Sequence, residues 1–165
     1  ARKQFPHVRL DVVGGGQRRA ALEQLARDLG AGDCVRIHGL VPSIADYLLD
    51  ADLYVSPTTV DNFGTAVAEA AMYALPVVTT RVGFPGELVV EGQTGYVVPP
   101  GDQDALYEAI VRVLARPPAE QAEMGRRMRR RALELGLTWP IAAATARDTL
   151  QASIERRGRG RVGGV

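Results

Sequence analysis

Ser56-Pro57-Thr58-Thr59-Val60-Asp61-Asn62-Phe63-Gly64-Thr65-Ala66-Val67-Ala68-Glu69 leads from the end of an apolar run, through a polar loop, into a helix. The run before it, Leu53-Tyr54-Val55, is short and continuous. A second apolar run, Pro76 to Thr80, follows a helix read over Gly64 to Ala74. Short continuous apolar runs joined by helices are the pattern of buried parallel strands. In such sheets ligands bind beyond the carboxyl ends of the central strands. The residues after Val55 and after Val78 are therefore the ones to watch.

Gly64 and Thr65 stand where the helix begins. Free amides at a helix N-terminus attract anions, and glycine lets a phosphate approach the backbone. Thr65 and Glu69 are four apart, so they share a helix face. A carboxylate there suits a ribose diol beside the phosphate better than the phosphate itself. Asp61, in the loop, is placed to accept from hydroxyls on the far side of the phosphates. Hydroxyls, phosphates and more hydroxyls make a nucleotide sugar. The same residues have a plainer reading: acids near a helix start are favoured by the helix dipole and by capping.

Outward from this stretch, strand and helix signals alternate. Val8 to Val13 reads as a strand ending at Gly14-Gly15-Gly16. Leu22, Leu25, Ala26 and Leu29 form one apolar helix face, stopped by Gly30. Cys34 to His38 alternates apolar and polar residues, as a strand near a sheet edge does. Ser43 to Asp46 resembles a capping box opening a helix to Leu49. Gly95 to Val98 is a strand. Asp102 caps a helix whose face is Leu106, Ala109, Ile110, Val113 and Leu114. Further helices are read from Ala119 to Leu135, stopped by Gly136, and from Trp139 to Arg156. The expected fold is α/β, a Rossmann-like parallel sheet with helices on both faces. Residues 1–156 form one domain in this reading. Residues 157–165 are a basic Gly/Arg tail whose composition predicts disorder.

The 165 residues are 46% apolar and 24% charged, and the net charge is +1. This is a globular composition with no bias toward nucleic acid. No apolar run is long enough for a membrane helix. Cys34 is the single cysteine, which excludes an intramolecular disulfide and a cysteine zinc cluster and suits a reducing cytoplasm. The start at Ala1, with no initiator Met and no apolar leader, is expected of a piece of a longer protein.

Several of these segments resemble, in order, the motifs of the group 1 (family 4) retaining glycosyltransferases of the GT-B fold. That signature has Pro-Ser, then Glu-x-Phe-Gly, a second Glu eight residues after the first, and Ala-Met-Ala-x-Gly-x-Pro-Val-Val. The chain has Ser56-Pro57, Asp61-Asn62-Phe63-Gly64 and Glu69-Ala70-Ala71-Met72-Tyr73-Ala74-Leu75-Pro76-Val77-Val78. Val13-Gly14-Gly15-Gly16, Val35-Arg36-Ile37-His38-Gly39, Val82-Gly83 with Glu87, Thr94-Gly95, Pro100-Gly101-Asp102 and Trp139 resemble further family segments. Together they cover residues 6 to 155.

The resemblance implies the C-terminal, donor-binding domain of a transferase that moves a sugar from a nucleoside diphosphate to a hydroxyl acceptor, retaining configuration, without a metal or cofactor. It assigns Asp61, the catalytic position, to hydroxyls of the donor sugar. It assigns the amides of Phe63, Gly64 and Thr65 to the sugar and diphosphate, and Glu69 to the ribose. Gly15 and Gly16 join them in the donor site, and the turn at Gly39, Leu40 and Val41 lies against the base. A sugar-nucleotide epimerase or phosphorylase of the same fold, and a non-catalytic nucleotide-sugar-binding domain, are the alternatives.

Three departures stand out. Asp61 replaces the family's first Glu and reaches about 1.5 Å less. Phe84 stands where Gly-Gly is usual. The family's opening strand, Gly-Arg loop and Lys have no counterpart before Val8, so the sheet is expected to lack an interior strand, and the acceptor-binding N-terminal domain is absent. The fragment is thus expected to be inactive alone, and its unpaired strand edges favour a strand-exchanged oligomer.

Other features carry less. Arg19 stands where a dinucleotide fingerprint needs its third glycine, and no acid ends the next strand. Arg126, Arg127, Arg129, Arg130 and Arg131 read first as a solvated helix face, with peripheral contact to the inner face of a membrane, or contact with a partner domain, as the sharper option. His7 and His38 read as surface or strand histidines, and Cys34 as a small core residue.

Overall fold

Val77 and Val78, consecutive and fully buried, turn their side chains to opposite faces of one strand and so define two core layers. The computed structural model describes residues 4–137. Along them run β1 (Leu10–Val13), α1 (Arg19–Asp28), β2 (Val35–Gly39), α2 (Ala45–Leu49), β3 (Tyr54–Ser56) and α3 (Thr65–Met72). There follow β4 (Val77–Thr80), α4 (Pro85–Leu88), β5 (Gly95–Val98), α5 (Gln103–Leu114) and α6 (Pro118–Glu134). The alternation is the one expected, with ends shifted by one or two residues. The expected helix from Trp139 and the basic tail lie outside the described residues. The four-residue α4 was not expected, being too short to show a period.

Every strand pair is parallel, but the strands form two sheets rather than one: β1-β2 and β3-β4-β5. Among the described residues β1 pairs only with β2 and β3 only with β4, so each keeps an open edge. The split lies between β1 and β3. α2 spans it. Tyr47 packs its ring 4.7 Å from that of His38 on β2, and Asp50 pairs with Arg9, just before β1. Leu48 meanwhile joins Ala70 and Leu75 in a buried cluster that also holds Tyr54 of β3.

On one face of β4, Val77 packs with Val67 and Ala71 of α3, Leu88 of α4, and Met128 and Ala132 of α6. On the other, Val78 packs with Tyr96 and Val98 of β5 and with Ala109 and Val113 of α5. Helices thus cover both faces of this sheet. Asp102 caps α5 as expected, its Oδ1 accepting from the Ala105 amide at 2.9 Å. Gly125 brings α6 against the turn after α3: a Cβ there would lie 1.7 Å from the Ala74 carbonyl oxygen. Ala74 itself has φ +57°, a left-handed conformation in which the family's usual glycine carries no strain.

Two expectations need correction. β3 was read as a buried central strand, yet it is half-buried, because it edges its sheet. The apolar face expected on α1 does not reach a core: α1 buries no residue, and Leu22, Leu25 and Leu29 are 41%, 51% and 71% exposed.

Candidate functional site

The carboxyl ends of β1 and β2 form the first half of the site. The Gly14 amide donates to the Gly39 carbonyl at 2.8 Å, holding the two turns together. Gly15 is packed under the Leu40 side chain, which is otherwise 87% exposed. Gly16 lies open. The guanidinium of Arg19 donates to the Ile37 carbonyl and to Glu23, and its Nη1 fills the space where a Cβ on Gly39 would fall. The third position of the apparent fingerprint is therefore spent on closing the β1–β2 end, not on a ligand.

The end of β3 forms the second half. Asp61 Oδ1 accepts the Gly64 amide at 2.8 Å, a loop bond that shapes the approach to α3 without capping its first turn, and Oδ2 makes no bond among the described residues. Gly64 is buried with φ +65°, and a Cβ on it would meet Pro85 Cγ at 2.1 Å. Only glycine fits here, and α3 starts directly behind it with Thr65 exposed. Phe63, 59% exposed, stacks on Phe84 with ring centroids 6.0 Å apart. The Phe84 amide donates to the Asn62 carbonyl at 3.2 Å, tying the two loops together. The bulky residue at position 84 thus backs the 61–64 loop.

Glu69 is exposed one helical turn after Thr65. A pocket of about 350 Å³ brings it together with Val41 and the 42–45 turn, although the two residues lie 28 positions apart in sequence. This pocket bridges the two halves. The phenol of Tyr54 has its pKa raised, first by burial and then by the charges of Glu69 and Asp61.

Two residues escaped the sequence reading. Arg81 follows the last residue of β4, is exposed, and makes no side-chain hydrogen bond or ion pair among the described residues. Its place after a buried central strand was the available signal. Tyr73 lines the pocket beside Glu69. Its position four residues after Glu69 was the signal for it.

The remaining features are structural. His38 Nε2 and Asp11 Oδ1 are 2.7 Å apart, and Arg9 also binds Asp11. Burial raises the Asp11 carboxyl pKa, but the bonds from His38 and Arg9 outweigh it and leave the carboxyl below its ordinary value. The Cys34 thiol, half-buried, donates to the Ala31 carbonyl. Of the arginine run, Arg126 and Arg127 share Glu123, and Arg131 donates to the carbonyls of Leu88 and Glu87 at the end of α4. Among the described residues no three His, Cys, Asp or Glu side chains gather as metal ligands, and no helix is long and apolar enough to cross a membrane.

Comparison with known proteins agrees with this geometry. The model of the family described as "Glycosyl transferases group 1" matches residues 1–133. D-inositol 3-phosphate glycosyltransferase of Streptomyces avermitilis is 33% identical over 155 residues, which cover 90% of this chain and 33% of that protein. The GDP-mannose-dependent alpha-(1-6)-phosphatidylinositol monomannoside mannosyltransferase of Mycolicibacterium smegmatis is 31% identical, over 94% of this chain and 43% of its own length. Among solved structures, sucrose-phosphate synthase from Thermosynechococcus elongatus superposes with a TM-score of 0.79 at 30% identity, covering 92% of this chain and 40% of that one. The chain therefore spans less than half the length of each of these proteins. It belongs to the group 1 glycosyltransferases and has their GT-B-type α/β fold.

Proposed function

We propose that the chain is the donor-binding half of a retaining glycosyltransferase, moving a hexose from a nucleoside diphosphate sugar to a hydroxyl acceptor. The observation that carries this reading is the pocket joining Glu69 to Val41, one helical turn from the exposed amide end of α3. In it Glu69 accepts from the ribose diol and the 39–41 turn lies against the base. The amides of Phe63 and Thr65 meet the sugar and diphosphate, with Gly15 and Gly16 facing them, while the Gly64 amide, expected to join them, is held by Asp61. Asp61 offers Oδ2 to a hydroxyl of the transferred sugar. Arg81 and the positive end of α3 stabilise the leaving diphosphate, a task that needs no metal ion.

The acceptor and its binding half lie in the part of the relatives that this chain does not span, so residues 1–165 alone turn over no donor. The open edges of β1 and β3 favour strand exchange between copies. Cytoplasmic placement against the inner membrane face would rest on Arg129 and Arg130, the two arginines of the run with no bonded partner among the described residues.

Calorimetric titration with UDP-, GDP- and ADP-sugars tests the reading. One donor should bind, and Glu69→Ala should abolish that binding. Retained affinity in the variant would overturn the donor site. A second reading, a nucleotide-sugar-binding domain without catalysis, draws on the loop bond from the Gly64 amide to Asp61 Oδ1. It predicts binding without turnover even when an acceptor half is supplied.

A further inference from the structure

α3 presents three chemically different groups on one face. The exposed residues Thr65 and Ala66, whose amides begin the helix, stand at its start, Glu69 one turn on, and Tyr73 one further turn on, at the residue that ends the helix. Residues four apart lie one above the other, separated by about 6 Å along the axis. The order along the helix is thus anion donor, diol acceptor, aromatic ring. The opposite face, with Val67, Ala70 and Ala71, is buried against the sheet and sets this ladder outward.

The pocket beside the ladder has a consistent chemistry. Its walls are Glu69, Tyr73 and the 41–45 turn, and no cationic side chain is among them. A phosphate has nothing to bind there. A neutral flat ring attached to a diol fits, with the diol at Glu69. Tyr73 is 38% exposed, and its hydroxyl makes no hydrogen bond among the described residues. Its ring takes no part in the His38–Tyr47 or Phe63–Phe84 ring pairs. The aromatic face is therefore uncommitted to the core, and it sits at the end of the ladder where the base of a bound nucleotide would fall.

We propose that Tyr73 reads the donor's base: its ring stacks on the nucleobase of a nucleoside diphosphate whose ribose is held by Glu69 and whose phosphates meet the first amides of α3, at Thr65 and Ala66. This rests on the donor-site reading and adds a residue that discriminates nucleotides from sugar phosphates. Stacking is blind to hydrogen-bond pattern, so Tyr73 sets affinity for nucleotides as a class, and the 41–45 turn is left to distinguish one base from another.

The test is titration of the folded chain with UDP, GDP, ADP and inorganic pyrophosphate, in wild type, Tyr73→Ala, Tyr73→Phe and Glu69→Ala. Tyr73→Ala should weaken the preferred nucleotide by about 5- to 100-fold, the range of a lost base–aromatic stack. Tyr73→Phe should stay within about 3-fold of wild type by the same argument, because the stacking face is kept. Pyrophosphate binding should not change in either. The base protons of the bound nucleotide should shift upfield in wild type and Tyr73→Phe, by ring current. Wild-type affinity in Tyr73→Ala, or no upfield shift in wild type, with Glu69→Ala still deficient, would overturn the role of Tyr73 and leave the donor site standing. Failure of every nucleotide to bind wild type would bring down both.

Discussion

The β1–α1–β2 region and the region from β3 to α6 use the same kind of sequence to different effect. Both alternate strand and helix, and both carry helices with a leucine or alanine face. Yet all the buried clusters draw their members from residue 48 onward, whereas α1 buries nothing. The difference is one of cover. β4 has a strand on each side and helices above and below, so its apolar side chains vanish from solvent. β1 has a neighbour on one edge only, and the leucines of α1 meet no second layer. An amphipathic pattern states which face is apolar; the rest of the sheet decides whether that face is buried.

This contrast can be broken by experiment. Met128→Ala removes a fully buried side chain from the α3–α6 layer and should destabilise the chain by about 2–5 kcal/mol in urea unfolding. Ala74→Gly, which relieves a left-handed alanine in the same region, should stabilise by about 1 kcal/mol in the same assay. A loss of stability there would mean that the turn is held by something other than backbone strain.

The first region should respond to acid instead. The carboxyl of Asp11 is held below its ordinary value, so its contribution is present above the unfolded carboxyl range near about 3.9 and is lost as pH falls through and below it. Hydrogen exchange of the β1 and β2 amides, corrected for intrinsic rates, should lose protection in that window before β4 does. Asp11→Asn should show the loss already at neutral pH. The smallest effect belongs to Leu29→Ser. At 71% exposure it should change stability by less than about 0.5 kcal/mol. A large loss would show that α1 is covered in solution, and the two regions would then be alike.

Much of this was legible in the sequence, for reasons that differ by element. The Val77-Val78 run, the Asp102 cap and the Gly136 stop are local signals, and each produced the element expected of it. The division into two sheets depends on which strands pair, which no local pattern reports. Gly64, Thr65 and Glu69 could be placed on α3 from spacing alone. That Val41 shares a pocket with Glu69 required the path of α2. The bond from the Gly64 amide to Asp61 arises from a loop turn four residues long, so Asp61 holds the loop rather than capping α3, and its Oδ2 makes no bond among the described residues. Tyr73 was passed over because an aromatic at a helix end reads as ordinary packing.

Arg131 gives the arginine run of α6 a different meaning. Its guanidinium closes the open carbonyls of α4, and two of its neighbours share one glutamate, so a count of five cations overstates what the helix can offer an anionic surface. Each contact that displaces a condensed counterion adds about one unit to the logarithmic salt dependence of binding. The slope measured against a polyanion such as heparin should then lie near about two, set by Arg129 and Arg130, rather than near about five.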